Sequence, residues 1–234
     1  MNSATTDLRT RVYQANMELA EAGLVLDTFG NVSGADREAG IVLIKPSGIP
    51  YPELSPEKMV PVSLETGETL EGDLRPSSDT PSHLELYRAF PCGGIAHTHS
   101  GAATTLAQAR LAVRCMGTTQ ADYFRGDVPV TRDLRPDEIE EEYEKNTGLV
   151  IVETFDELGI SPLEVPAALV ASHGPFTWGK DPQEAVKHSI VLEYVARMDA
   201  DQRSFHAAQG RPSPVLVDKH FLRKHGNDAY YGQQ

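Results

Sequence analysis

Two closely spaced hairpin patterns near the N-terminus constrain the fold of this chain most. The segment FGNVSGADREAGIVLIKPSG, residues 29–48, contains two short apolar runs around a charged turn. The segment MVPVSLETGETLEGD, residues 59–73, repeats this pattern around Thr66 and Gly67. Because hairpins pair their strands antiparallel, the chain is expected to build an antiparallel or mixed sheet.

Helical patterns are interspersed with the strand patterns. Apolar residues recur at helical spacing over residues 7–22, and Gly23 follows as a stop signal. A second helix is predicted to begin at Thr80 and Pro81, which leaves Asp79 just outside its N-terminus. The sequence also predicts helices after residue 100 and over 135–159 and 180–205, and strand and loop over 115–132. It predicts a strand over 94–99 and, in the segment 166–179, a strand that ends in a Gly-Pro turn. These elements indicate an α/β or α+β layered fold, and the length indicates one domain over residues 1–234.

Charge and composition argue against several classes of partner. The formal net charge of -13 repels nucleic acid and anionic membranes. No apolar run approaches the ~18 residues of a membrane span, and the N-terminal segment lacks the apolar core of a signal peptide. The two cysteines, Cys92 and Cys115, provide no disulfide framework, which favours a cytoplasmic location. An anionic substrate would therefore need a locally positive pocket.

The motif GGIAHTHS places His97 and His99 two residues apart in a predicted strand. Such residues project from the same face with Cα atoms about 6.6 Å apart, so both imidazoles can reach one metal ion. The alternative for an isolated pair is one hydrogen-bonded core histidine and one exposed histidine. The pair therefore needs further ligands to define a metal site.

Two other residues are candidates to complete the site. His173 follows an apolar strand pattern, at a strand end where ligand-facing groups are common. Asp79 precedes a helix, where its carboxylate is ionised and held in place, although a plain N-terminal cap is the favoured interpretation when Asp79 is considered alone. Three imidazoles with at most one carboxylate suit Zn²⁺, and Mn²⁺, Co²⁺ or iron accept the same ligand types.

Six motifs together resemble one known family. In chain order they are GNVSGADREAGIVLIKPSG, RPSSDTPSHLELYRAFP, GGIAHTHS, GTTQADYF, SHGPFTWGKD and DKHFLRKHGNDAYYGQ. They resemble the class II aldolase/adducin family from about Arg9 to Tyr231, and within it they are most similar to the L-ribulose 5-phosphate 4-epimerases. Gln120 and Arg125 depart from residues that are common in these relatives.

The resemblance implies a three-layer α/β/α fold with a central, largely antiparallel sheet. It also implies a cyclic homotetramer with one Zn²⁺ per subunit and active sites at the subunit interfaces. The positions that match metal ligands are Asp79, His97, His99 and His173. The positions that match substrate and phosphate contacts are Gly30, Asn31, Lys45, Ser47, Gly48, Ser77 and Ser78, with Thr118, Glu144 and His220 in supporting roles. These residues would supply the positive pocket that the overall charge lacks.

The implied reaction interconverts L-ribulose 5-phosphate and D-xylulose 5-phosphate. The C3–C4 bond breaks to give an enediolate and glycolaldehyde phosphate, and the aldehyde rotates before the bond re-forms on its other face. Two acid/base groups on opposite faces are needed, and the resemblance assigns them to Asp122 and Tyr231 of a neighbouring subunit. The adjacent Tyr230 is not distinguished from Tyr231 by the sequence.

Two rival functions follow from the same family. An L-fuculose 1-phosphate aldolase shares the three histidines but carries glutamate where this chain has Asp79, so the aspartate favours the epimerase. A non-catalytic module similar to the adducin head has lost its metal ligands, and retention of His97, His99 and His173 argues against it.

Overall fold

An antiparallel sheet forms the centre of the structure. The computed structural model describes residues 3–205 and 210–231, and the sheet found within them has six strands. The strands are β1 (Asn31–Asp36), β2 (Ile41–Ile44), β3 (Val60–Ser63), β4 (Gly94–His97), β5 (Ala167–Leu169) and β6 (Pro175–Gly179). Their spatial order is β3-β2-β1-β4-β6-β5, and every neighbouring pair is antiparallel. The prediction of an antiparallel sheet is confirmed.

Helices account for about half of the remaining described residues. The α-helices in the described ranges are α1 (Ser3–Glu21), α2 (Thr80–Ala89), α3 (Gly101–Gln108), α4 (Thr118–Ala121), α5 (Pro136–Leu158), α6 (Pro182–Arg203) and α7 (Pro214–His225). Two short 3-10 helices, Tyr51–Glu53 and Pro56–Lys58, lie between β2 and β3. Two helix boundaries are set by residues that favour them: Asp181 accepts a hydrogen bond from the Glu184 amide at 2.8 Å at the start of α6, and Gly159 ends α5 in the left-handed conformation. Among the described helices, none is long and apolar enough to cross a membrane.

The sheet separates two helical layers. On one face, Val32 and Ala96 pack with α1 and the first turns of α6. On the other face, Ile95 and Trp178 join the large core cluster that includes residues of α2 and α5. Successive strand residues alternate between these faces, as the period of a β-strand requires. The result is the predicted α/β fold with helices on both faces of the sheet.

Three local predictions differ from the structure. The second hairpin keeps only its first strand, β3, because its return segment pairs through a single bridge between Val62 and Thr69 and is otherwise exposed. The segment 166–179, predicted as one strand that ends in a Gly-Pro turn, forms the β5–β6 hairpin, with residues 170–174 in its turn and a second strand after it. The strand predicted over 94–99 ends at His97.

Two helices were not predicted. The four-residue α4 lies where strand and loop were expected, and it is too short to show a periodic pattern. The basic C-terminal segment forms α7, in which Phe221 is the one buried residue. With one buried residue, α7 shows no wide apolar stripe that faces the core, which is the pattern that predicts a helix from sequence.

Close packing between α2 and α5 depends on Gly148. A Cβ atom at this position would lie 2.7 Å from the Ser82 carbonyl oxygen and 2.9 Å from the Glu85 Cβ. Helix α5 also has a non-helical residue, Glu142, six residues before Gly148, and the Ser82 hydroxyl donates a hydrogen bond to the Glu144 carbonyl just after it. The close approach and the kink together set how the first turns of α5 lie against α2.

We expect Gly148→Ala to destabilise the protein. The new methyl group forces α2 and α5 apart, and this cost exceeds the gain in helix propensity, for a net loss of about 1–2 kcal/mol in the free energy of unfolding. Urea denaturation of the metal-free protein would measure it. Gly210→Ala is the matched control, because nothing lies within 4 Å of a Cβ atom there. Equal denaturation midpoints for the two variants would contradict the packing argument.

Candidate active site

Strand ends bring the candidate metal ligands together. His97 is the last residue of β4 and pairs across the sheet with Asn31, the first residue of β1. His97 also pairs with Phe176 of β6, whose preceding turn carries His173. Gly30 adopts φ +84°, and a Cβ atom there would lie 3.2 Å from the His97 carbonyl oxygen. The chain therefore enters β1 past the site at a position where a side chain is disfavoured.

The rings of His97, His99 and His173 converge on one point. One ring nitrogen from each lies within 4.8 Å of the others, the only such group of three or more potential ligands found in the described ranges. The Nε2 atoms of His97 and His99 are 3.2 Å apart. Two nitrogens bound at ~2.0–2.1 Å to a tetrahedral ion lie about 3.3 Å apart, so this spacing fits a zinc-type site.

Hydrogen bonds and burial leave the histidines suited to metal binding. The His97 Nδ1 lies 3.0 Å from the Pro175 carbonyl oxygen, which can only accept, so His97 donates from Nδ1 and keeps a lone pair on Nε2. Burial lowers the pKa of His173 to about 3, with a further contribution from His97 and His99. Burial and His97 also lower the pKa of His99. Both rings are therefore neutral at pH 7, the form that binds metals.

The carboxylate of Asp79 does not act as a helix cap. Asp79 occupies the N-cap position of α2, yet its side chain accepts no capping hydrogen bond. Instead, the Asn31 amide donates to Asp79 Oδ2 at 2.6 Å. Burial raises the pKa of Asp79, but His97, His83 and the Asn31 hydrogen bond lower it by more, so the group is ionised. Asp79 lies beside the three converging rings and is not one of the mutually close group.

A buried polar network between α2 and β1 supports the position of Asp79. The Ser33 hydroxyl lies 2.7 Å from His83 Nδ1 and 2.8 Å from the Tyr87 hydroxyl. Burial lowers the pKa of His83 to about 3, so this ring is neutral. The network ties α2 to β1 and thereby fixes Asp79 relative to Asn31.

Two loops next to the histidines are joined side by side. Lys45 and Pro46 follow β2, and the Ser47 amide donates to the Arg75 carbonyl at 3.0 Å. In return, the Ser77 amide donates to the Lys45 carbonyl at 3.0 Å. Lys45 is buried with its ammonium 4.9 Å from the centre of the Tyr51 ring, and burial lowers its pKa against the opposing effect of Asp79. One cation and several amide and hydroxyl donors thus lie close together in these two loops.

A cavity of about 320 Å³ unites most of the predicted site. The predicted residues that line it are Gly30, Asn31, Lys45, Ser47, Gly48, Ser77, Ser78, Asp79, His97, His99, Glu144 and His173. Its volume suits a small molecule of sugar-phosphate size.

The remaining predicted residues, Thr118, Asp122, His220 and Tyr231, do not line this cavity. Asp122 follows α4, and its carboxylate accepts from Arg223 at 3.0 and 2.8 Å and from His220 at 3.1 Å. Burial raises the pKa of Asp122, whereas Arg223 and His220 lower it by more, so this carboxylate is ionised. Thr118, at the start of α4, accepts the Asp122 amide hydrogen bond on its carbonyl oxygen. We call these residues and Arg223 the Asp122 cluster.

The C-terminal tyrosines occupy different positions around α7. Tyr231 lies with its ring centre 4.3 Å from the Arg223 guanidinium carbon, on the same side chain that holds Asp122. The ring centre of Tyr230 instead lies 5.1 Å from the Lys219 ammonium. The structure therefore associates Tyr231 with Asp122, a distinction that the sequence did not make.

Two aromatic residues in the cavity wall were missed by the sequence analysis. Phe29 stacks on His99 with ring centres 5.8 Å apart, and Tyr143 stacks on His173 with ring centres 6.1 Å apart. Both line the cavity. Tyr143 is a lone aromatic residue in the acidic run EEEYEKN, and this isolation was the available signal.

The fold and the cavity define an α/β protein with a histidine site of the metal-binding type. The chain belongs to the family described as the class II aldolase and adducin N-terminal domain, whose model matches residues 10–200.

Solved structures share this fold. An L-fuculose 1-phosphate aldolase matches with a TM-score of 0.77 and 24% identity, over 94% of this chain and 95% of its own. YgbL from Escherichia coli matches with a TM-score of 0.72 and 24% identity, over 93% and 99% of the two chains. YgbL from Klebsiella pneumoniae matches with a TM-score of 0.71 and 26% identity, over 91% and 97%.

Proposed function

We propose that the protein is a metal-dependent epimerase that interconverts L-ribulose 5-phosphate and D-xylulose 5-phosphate. The observation that carries the proposal is the Asp79 carboxylate, which is released from capping α2 and directed by Asn31 to a cavity shared with three converging histidines. The choice of substrate is supported by six sequence motifs that are similar to those of the epimerases. In this proposal residues 1–234 form one catalytic domain.

The metal ligands in this proposal are His97, His99 and His173, with Asp79 beside them as the fourth candidate. Nitrogen ligands at this spacing favour Zn²⁺, one per subunit, although Mn²⁺ or Co²⁺ accept the same ligands. A bound divalent ion supplies a Lewis acid that polarises the ketone group of the substrate.

The phosphate group of the substrate is assigned to the paired loops. Ser47 and Gly48 lie in one loop and Ser77 and Ser78 in the other, and the hydrogen bonds between the loops keep both sets of donors at one rim. Backbone amides and hydroxyls can bind a dianion without a large net positive charge. Lys45 adds the cation that an acidic protein needs at this place.

Asn31 is assigned to a sugar hydroxyl. Its amide nitrogen is committed to Ser77 and Asp79, whereas its carbonyl oxygen is buried without a hydrogen-bond partner among the described residues. A buried acceptor without a partner costs ~1–3 kcal/mol, and a substrate hydroxyl in the cavity would satisfy it. Glu144, which also lines the cavity, is proposed as a supporting contact.

Asp122 and Tyr231 are proposed as the acid/base pair, and they reach the cavity of a neighbouring subunit in a cyclic homotetramer. One of the two removes the C4 hydroxyl proton while the C3–C4 bond breaks, and the bonding electrons pass to C3. Glycolaldehyde phosphate then rotates, C3 attacks its other face, and the other group donates a proton to the new C4 oxygen. His220 and Thr118 hold Asp122 in place in this proposal.

The alternative within the family is a sugar-phosphate aldolase. It would release the aldehyde instead of returning it to the enediolate. The aspartate at position 79, where the aldolases carry the longer glutamate, favours the epimerase. A non-catalytic, adducin-like module would bind no stoichiometric metal.

Incubation with L-ribulose 5-phosphate should yield D-xylulose 5-phosphate, and removal of the metal with a chelator should stop the reaction. Re-addition of Zn²⁺ should restore it, because the fold holds the three histidine rings together without the ion. Chromatographic separation of the two pentulose phosphates with time measures the rate. Net accumulation of glycolaldehyde phosphate would indicate the aldolase instead, and product formation that is unaffected by the chelator would contradict the metal-dependent mechanism.

A further inference from the structure

Tyr143 is directed into the cavity by the kink in α5. The helix breaks at Glu142, where φ is -134° and ψ is 60°, one residue before Tyr143. The hydroxyls of Ser82 and Thr147 donate to the carbonyls of Glu144 and Tyr143 and thereby satisfy backbone oxygens around the break. The position of Tyr143 is therefore built into the α2–α5 contact.

The hydroxyl of Tyr143 contacts the candidate metal ligand His173. Its oxygen lies 3.3 Å from His173 Nδ1, and the two rings stack with an interplanar angle of 27°. It is the one hydrogen-bond partner of the His173 ring among the described residues. His173 itself lies in the β5–β6 hairpin turn, where its ring also contacts the rings of His97, His99 and Phe176.

We infer that Tyr143 is a positioning residue of the metal site, which accepts the Nδ1–H of His173 and leaves Nε2 free to bind the ion. A neutral imidazole has one donor and one acceptor nitrogen, so the partner of one nitrogen determines the role of the other. The Pro175 carbonyl does the same for His97 at 3.0 Å. Groups that hold metal-binding histidines in this way commonly change metal affinity 10–100-fold when they are removed.

This inference rests on the metal site of the proposed function, and the experiment separates the two. Tyr143→Phe keeps the stacked ring and removes only the hydroxyl. The dissociation constant for Zn²⁺ is measured by competition with a chromogenic chelator, and thermal unfolding of the metal-free protein is measured alongside. Tyr194→Phe is the matched control, because Tyr194 is 62% exposed on α6 and lies outside the cavity.

We expect Tyr143→Phe to weaken Zn²⁺ binding by about tenfold or more, with an unchanged unfolding temperature of the metal-free protein. Tyr194→Phe should match the unsubstituted protein in both measurements. Equal Zn²⁺ affinity for Tyr143→Phe and the unsubstituted protein would overturn the inference, as would a loss of affinity matched by a loss of metal-free stability. Failure of the unsubstituted protein to bind Zn²⁺ would instead contradict the proposed function.

Discussion

Replacing His97 with glutamine should remove tightly bound Zn²⁺ and lower kcat/KM for L-ribulose 5-phosphate by about 10³-fold or more. Loss of one of three nitrogen ligands weakens the site, and the Lewis-acid contribution of such an ion is several kcal/mol, each 1.36 kcal/mol being tenfold in rate. His97 is chosen because its Nδ1 is held by the Pro175 carbonyl and its ring contacts both other histidine rings. Metal content per chain and initial rates provide the two measurements.

His188→Gln is the matched control for this substitution. His188 is also a buried histidine, and its Nδ1 lies 2.6 Å from the Trp178 carbonyl oxygen, but it does not line the cavity. The His188→Gln variant should keep one Zn²⁺ per chain even if the substitution lowers the free energy of unfolding. Both variants are compared without metal, so that a general loss of folding is separated from loss of the site. Full Zn²⁺ content in His97→Gln would rule out the proposed ligand set.

Sequence patterns predicted the elements of this site better than their arrangement. The H-x-H spacing relied on a strand that reaches His99, but β4 ends at His97, and the rings converge because the chain turns after the strand. His173 was expected at the end of a strand and lies in a hairpin turn. In both cases the predicted residue lies in the group of three histidines but the local geometry differs from the prediction, since strand boundaries depend on tertiary pairing that one segment cannot encode.

The role of Asp79 illustrates what a local pattern cannot decide. The motif SSDTP is an ordinary helix start, and a plain cap was the favoured interpretation for Asp79 alone. The side chain turns away from the helix because Asn31, 48 residues earlier in the chain, donates to it. Tyr143 was missed for a similar reason, since the kink that directs it depends on Ser82 and Gly148 in the packed α2–α5 pair. Long-range contacts of this kind have no signature within a short window.

Asp122→Asn should lower turnover by about 10²–10⁴-fold and leave one Zn²⁺ bound per chain. The amide cannot take up or deliver the proton, while the cavity residues are untouched because Asp122 does not line it. Asp218→Asn is the matched control: this α7 carboxylate pairs with Arg125, outside the Asp122 cluster. Rates at saturating substrate and metal content are measured for both. Loss of Zn²⁺ from Asp122→Asn would contradict the separation of the Asp122 cluster from the three histidines within one chain.

Combining His97→Gln and Asp122→Asn chains in one oligomer tests whether two subunits share each active site. The described residues of one chain hold the histidines in a cavity and Asp122 in a cluster that does not line it, so a shared site takes its cavity from one copy and its Asp122 from another. When the two variants are co-expressed with different tags and doubly purified, about a quarter of the sites in a randomly mixed ring combine an intact cavity with an intact neighbouring Asp122. The activity of the mixed oligomers should reach about a quarter of the activity of the unsubstituted protein, well above the activity of either variant alone. If each site is instead completed within one chain, every site carries one of the two lesions, and the mixed oligomers stay as inactive as their parents.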